Sequence, residues 1–207
     1  MLTPRTCLWW MLAAIVLAGC ATAPSDSQLS ARAAEVMHAS FKARGQAGLD
    51  RLQQDDTQRT CSALEGKVPP KDVAERIQAE NLATIRYPAD GKLLGDWRNG
   101  ERVAQEGRGK QFSDDPAGPV GANCYACHRL SGQELSYGTI GPSLYQFGKL
   151  RGYSDEVRRY AYGKIYNAQA FAACSNMPRF GHNGILTEQQ IRDVVALLMD
   201  PASPVNQ

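Results

Sequence analysis

Cys124-Tyr125-Ala126-Cys127-His128 is the stretch that decides how this chain is read. Two thiols separated by two residues can each add to a vinyl group of the same porphyrin, and the next residue then delivers an imidazole to one axial face of the iron. The string predicts one covalently attached haem c, carried by Cys124 and Cys127, with His128 as an iron ligand. A bare Cys-X-X-Cys also occurs in thioredoxin-like dithiols and in half of a zinc site. A redox dithiol needs no adjacent His and normally follows a strand in a βαβ context, which the flanking sequence lacks. A zinc site needs a second pair of ligands at finger-like spacing, and after Cys127 the chain offers only His128, Cys174 and His182.

The ligand on the other face of the iron decides whether such a protein moves electrons or binds small molecules. Five side chains outside the leader compete for it: Met37, His38, Met177, His182 and Met199. Met199 lies among core residues of a helix, where packing explains it, and Met37 and His38 are remote in sequence from the haem motif. Met177 occupies Cys174-Ser175-Asn176-Met177-Pro178-Arg179-Phe180-Gly181, a loop between two expected helices in which Pro178 limits the backbone and can present a thioether rigidly. His182 is the alternative ligand. A thioether favours reduced iron relative to imidazole, and axial-ligand identity moves haem potentials over about 0.8 V.

Around these residues the pattern is helical. Ser154 to Phe171 opens with a capping Ser and two acids, then places Val157, Tyr160, Ala161, Ile165 and Ala168 on one face. The last helix starts at Thr187, with Gln190 completing a capping box, buries Ile191, Val194, Val195 and Leu198, and ends at Pro201. A third begins near Trp97 and runs to about Gly107, before a Gly, Pro and Asp-rich loop from Asp114 to Gly121. Upstream, Ala33, Val36, Met37 and Phe41 mark one helical stretch, and Val73, Ile77 and Ile85 another, separated by Pro69 and Pro70. With a turn-rich boundary at Tyr87 to Gly91, the expectation is an all-α protein with a helical extension over 20–90 and a haem domain over 91–207.

The first residues speak to compartment. Arg5, an uncharged run from Leu8 to Gly19, and Leu17-Ala18-Gly19-Cys20 read as a secretion signal over 1–19. Its end resembles bacterial lipoprotein signals, which implies lipidation of Cys20 and a membrane-held domain, since acyl chains contribute about 0.8 kcal/mol per buried methylene. An uncleaved anchor helix over Thr6 to Ser25 is the alternative. Both put the folded part outside the cytoplasm, in the periplasm of a Gram-negative cell, where disulfides persist. Of six cysteines, Cys7 leaves with the signal, Cys20 goes to lipid, and Cys124 with Cys127 to haem. Cys61 and Cys174 remain as an expected disulfide, with two buried free thiols as the other possibility.

The 23 basic residues against 21 acidic form no cationic stripe, which argues against nucleic-acid binding.

Gly141-Pro142-Ser143-Leu144, following the haem motif, resembles the corresponding element of class I cytochromes c. That resemblance implies that the Pro142 carbonyl accepts the His128 Nδ1 proton and orients the ring. Longer strings are similar to one subfamily: Asn123 to His128, Tyr137 to Leu144, Tyr162-Gly163-Lys164-Ile165-Tyr166, Cys174 to Gly184, and Leu186 to Pro201 with Ser203-Pro204-Val205-Asn206. Together they resemble the SoxX family, the monohaem cytochrome c subunit of the SoxAX sulfur-oxidation complex, over about residues 87–206. The lipoprotein signal and the long extension depart from the shorter soluble members.

The resemblance implies a heterodimer with a SoxA-like haem subunit, where thiosulfate is oxidatively conjugated to a cysteine of a SoxYZ-like carrier protein. This chain would then be the electron-transfer subunit of an L-cysteine S-thiosulfotransferase complex. It would pass the released electrons to a small soluble cytochrome c, leaving the sulfur chemistry to its partner. A stand-alone periplasmic lipoprotein cytochrome c that shuttles electrons to a terminal oxidase is the alternative, and a ligand-binding haem protein with an open axial site is a third.

Overall fold

The computed structural model describes residues 23–207; the expected signal over 1–19, with Cys7, and the expected lipid site at Cys20 lie outside them. The described residues fall in two units, divided between Lys42 and Ala43. The first contains helix α1, Asp26–Ser40, started by a reciprocal capping box between Ser25 and Gln28 and burying none of its residues. Met37 and His38 lie on it.

The second unit is built from helices throughout, with no strand among the described residues. They are α2 (Asp56–Ala63), α3 (Lys71–Leu82), α4 (Trp97–Gln105), α5 (Phe147–Arg151), α6 (Asp155–Tyr166) and α7 (Glu188–Met199), with 3-10 turns at Leu49–Leu52, Cys124–Ala126, Ala168–Ala170 and Pro204–Asn206. Local chemistry sets the starts. Asp55 and Gln58 form a capping box on α2, Ser154 caps α6, and Thr187 with Gln190 boxes α7.

α7 is the central element. It buries eight of its twelve residues, among them Ile191, Val195, Leu197 and Met199, at about 1.5–3 kcal/mol for each large side chain. Met199 is thus a core residue, 1% exposed. α4 crosses it closely, because Gly100 rests on the Asp193 backbone, and Asp193 Oδ1 accepts the Asp96 N–H at 2.9 Å. A methyl at Gly100 would sit 2.0 Å from the Asp193 carbonyl oxygen. Helix propensity favours Ala over Gly by about 0.8–1.0 kcal/mol, but this collision is with backbone and cannot be relieved by a rotamer. Gly100→Ala is therefore expected to lower stability by about 1–3 kcal/mol in urea unfolding; an unchanged or higher midpoint would contradict the packing.

Residues 43–207 form one compact unit, so the boundary drawn at 90/91 from turn chemistry falls inside it. Buried polar groups fasten the earlier helices to the rest. Asn167 Nδ2 donates to Asn81 Oδ1 and to Thr84 Oγ1, each at 2.9 Å, and Asn81 Nδ2 donates to Thr57 Oγ1 at 2.9 Å. Asn167 is fully buried and Asn81 nearly so. This network also corrects one boundary. The helix expected to reach Phe171 stops at Tyr166, because Asn167 turns extended (φ −149°, ψ 97°) to place its amide in the network, and a 3-10 turn over Ala168–Ala170 follows.

Candidate haem site

A left-handed residue, Asn123 (φ 45°), opens the tight turn that carries Cys124 to His128. The backbone N–H groups of Cys127 and His128 both donate to the Cys124 carbonyl, at 3.1 and 2.9 Å. Upstream, Ala122 N–H donates to Val103 and Asn123 N–H to Glu106, which seats the turn on the carboxyl end of α4.

Downstream, the loop over 138–144 is laced to the turn. Gly138 N–H donates to Tyr125, Gly141 to Cys127 and Leu144 to Arg129, each at 2.8 Å. His128 Nδ1 lies 2.7 Å from the Pro142 carbonyl oxygen. Since a carbonyl only accepts, Nδ1 carries the proton and Nε2 presents its lone pair, the form in which an imidazole binds a metal. The loop passes so near the ring that a methyl at Gly141 would stand 2.2 Å from His128 Cε1 and 2.5 Å from Nδ1. Gly141→Ala should therefore turn the imidazole away from Pro142 and weaken axial binding by about tenfold or more. The check is the visible spectrum and ligand-binding kinetics of the haem-loaded protein at equal haem content; a parental spectrum and parental kinetics would contradict the geometry.

Cys124 and Cys127 are the free cysteines among the described residues. Burial pushes the Cys124 thiol up to about 12. A thioredoxin-like dithiol works through a depressed thiol pKa, so this environment does not suit it. Nor do the described residues contain a group of three or more His, Cys, Asp or Glu able to hold a metal ion, which leaves the zinc reading without a second ligand pair. Two unpaired thiols beside an imidazole of fixed tautomer do fit a covalently attached haem, with Cys124 and Cys127 available for thioether formation.

Met177 is half-buried and packs against the core's edge, as Cys124 does. Its loop is pinned at several points. Met177 N–H donates to Ser175 Oγ, while Gln169 exchanges hydrogen bonds with the Ser175 backbone at 2.9 and 3.3 Å. Cys174 and Cys61 are joined, with sulfurs 2.10 Å apart. Arg179, 7% exposed, donates Nη2 to Asp55 Oδ2 at 2.6 Å. Burial pushes the Asp55 carboxyl up, but the Gln58 N–H and the Arg179 guanidinium together outweigh it and hold the group below its ordinary value. A carboxyl whose pKa falls on folding adds stability above the unfolded value, and that contribution disappears as pH drops through the folded one. His182 sits just beyond; burial and Arg179 lower its pKa against the pull of Asp55, favouring the neutral ring.

The structure thus brings His128 and Pro142 together and joins Cys61 to Cys174. It adds Asp55 and Arg179, which the sequence reading missed. They are 124 positions apart, and neither stands in a motif that would have pointed to the other.

A family model for cytochrome c matches residues 106–200. A lipoprotein of Aquifex aeolicus (strain VF5), itself uncharacterized, is 41% identical over 156 residues, which covers 74% of this chain and 73% of that protein. Because that stretch is longer than everything from residue 106 onward, the likeness extends into the amino-terminal segment as well. With its all-helical fold, its two free thiols and its oriented imidazole, this chain contains a cytochrome c domain over residues 106–200, and that domain carries covalently attached haem c.

Proposed function

We propose that this chain is a one-electron relay, its iron held between His128 Nε2 and the Met177 thioether, and that it serves as the electron-transfer subunit of a SoxAX-type thiosulfate-oxidising complex. When bound, haem c would supply the one-electron couple; the protein's contribution is to position the His128 imidazole and the Met177 thioether that would hold its iron. The observation that carries the relay reading is the pinned Met177 loop, which presents a soft sulfur ligand from a constrained backbone, opposite in chemistry to the imidazole oriented by Pro142. His/Met ligation favours the reduced iron and suits a comparatively high-potential electron acceptor.

The strings shared with the SoxX family support the assignment to sulfur oxidation. So does the cysteine inventory. Cys61 and Cys174 are paired, and Cys124 with Cys127 is committed to haem, so the described residues leave no thiol for sulfur transfer. The thiosulfotransferase chemistry would then lie on a SoxA-like partner acting on a SoxYZ-like carrier, with a small soluble cytochrome c taking the electrons from this chain. The periplasmic side of a membrane, reached by lipid at Cys20, is the matching location; among the described residues no helix is long and apolar enough to cross a membrane.

The likeness to a lipoprotein over 74% of the chain favours a second reading, a stand-alone lipid-anchored cytochrome c delivering electrons to a terminal oxidase. Purification of the native protein separates the two. Under the first, a second haem chain co-purifies, and thiosulfate reduces this haem only when that partner and the carrier are present. Monomeric behaviour with no companion, or reduction of the isolated protein by thiosulfate alone, would overturn it.

A further inference from the structure

Helix α2 meets the Met177 loop at two points, one on each side of the methionine. Cys61, in the second half of α2, is bonded to Cys174, three residues before Met177. Asp55, the N-cap of α2, receives the Arg179 guanidinium, two residues after Met177. α2 is itself held, because Thr57 on it accepts from buried Asn81, which in turn accepts from Asn167.

Between these anchors the loop does not pack solidly on α2. A cleft of about 340 Å³ lies there, lined by Gln58, Cys61, Cys174, Met177 and Arg179 among others. Continuous side-chain packing therefore does not set the loop's position on this side; the covalent tie and the ion pair do so, together with the Gln169–Ser175 hydrogen bonds at the cleft's edge. Both come from a segment that lies outside residues 106–200, the part matched to cytochrome c.

We infer that α2 is a bracket for the axial methionine, and that Asp55, Cys61, Cys174 and Arg179 are positioning residues that keep the Met177 thioether on the iron. A short segment tied at both ends has little conformational entropy left to lose, so ligation costs less ordering and detachment gains less freedom. Untying one end raises the population in which the loop has swung into the cleft and left the iron open. This gives residues 43–90 a role in setting ligation. The inference rests on Met177 being the ligand.

Asp55→Asn provides the first test, since Asn keeps an N-cap oxygen for the Gln58 N–H while withdrawing the charge from Arg179. The holoprotein is expected to bind carbon monoxide in its ferrous form about tenfold faster, in line with the loss of a hydrogen bond to a charged group. Its thioether-to-iron absorption band should weaken and its midpoint potential fall, with helix content and covalent haem unchanged. Cys61→Ala combined with Cys174→Ala should move the same three readouts further. Folded Asp55→Asn with parental carbon monoxide kinetics, band and potential would overturn the bracket. Met177→Ala separates the two levels. If the band survives that change, the ligation reading fails and takes the bracket with it; if the band is lost there but Asp55→Asn stays parental, the bracket alone fails.

Discussion

Met177→Ala is expected to abolish the thioether-to-iron band of the ferric protein, admit carbon monoxide rapidly to the ferrous iron, and lower the midpoint potential. The potential falls because a thioether stabilises reduced iron, and axial-ligand changes act within a span of about 0.8 V. The fold should survive. Met177 is only half-buried at the edge of the core, so its truncation costs less than the 2–5 kcal/mol or so of a fully buried methionine. Met199, locked in the core by α7, is not free to substitute. His182, whose ring burial and Arg179 push toward the neutral form, is the alternative ligand. If the band and the carbon monoxide resistance persist in Met177→Ala, the ligand lies elsewhere and the relay geometry is wrong. The measurements are visible absorption of the ferric form, stopped-flow carbon monoxide binding and a redox titration.

Removing the disulfide is expected to have the largest effect on stability. Cys61 and Cys174 are separated by 113 residues, and cross-linking so long a loop restricts the unfolded chain by about 5 kcal/mol in the chain-entropy treatment. That is a large part of the roughly 5–15 kcal/mol that stabilises a whole domain. Cys61→Ala with Cys174→Ala should therefore shift the denaturant midpoint far down without removing haem from Cys124 and Cys127. The buried Asn81–Asn167 contact and the Asp55–Arg179 pair would still hold α2 and α3 in place, which keeps the variant foldable. Equilibrium unfolding by guanidinium, followed by circular dichroism, measures the loss. A cost under about 1 kcal/mol would mean that the tie adds little to a loop already fixed by its other contacts.

How much of this was legible from residues alone depends on the range over which each interaction acts. The haem turn was readable because its chemistry is local: two thiols and an imidazole within five consecutive positions. α6 and α7 were readable at their starts because Ser154 and Thr187 act on the N–H groups three residues on. The Cys61–Cys174 pair came from counting, since compartment and haem accounted for every other cysteine. The end of α6 was not readable, because Asn167 leaves the helix to meet Asn81, 86 positions away, and no local period records that. For the same reason the segment from 43 to 90 looked like an extension. Its attachment to the haem-bearing part rests on a few buried polar groups, two ion pairs (Asp55–Arg179 and Asp90–Arg192), one disulfide and isolated apolar side chains such as Ile77 and Tyr87 rather than on a continuous apolar stripe. Gly141 was visible as part of a turn, but its closeness to the His128 ring was not, since a sequence shows a missing side chain without showing what fills the space.

The most direct test of the account is X-ray absorption at the iron of the native oxidised protein, with its thioether-bound porphyrin in place. The predicted result is a single sulfur among nitrogen neighbours, lost in Met177→Ala. A native iron surrounded by nitrogen alone, or one lacking a sixth ligand, would contradict the His128 and Met177 assignment and the relay built on it.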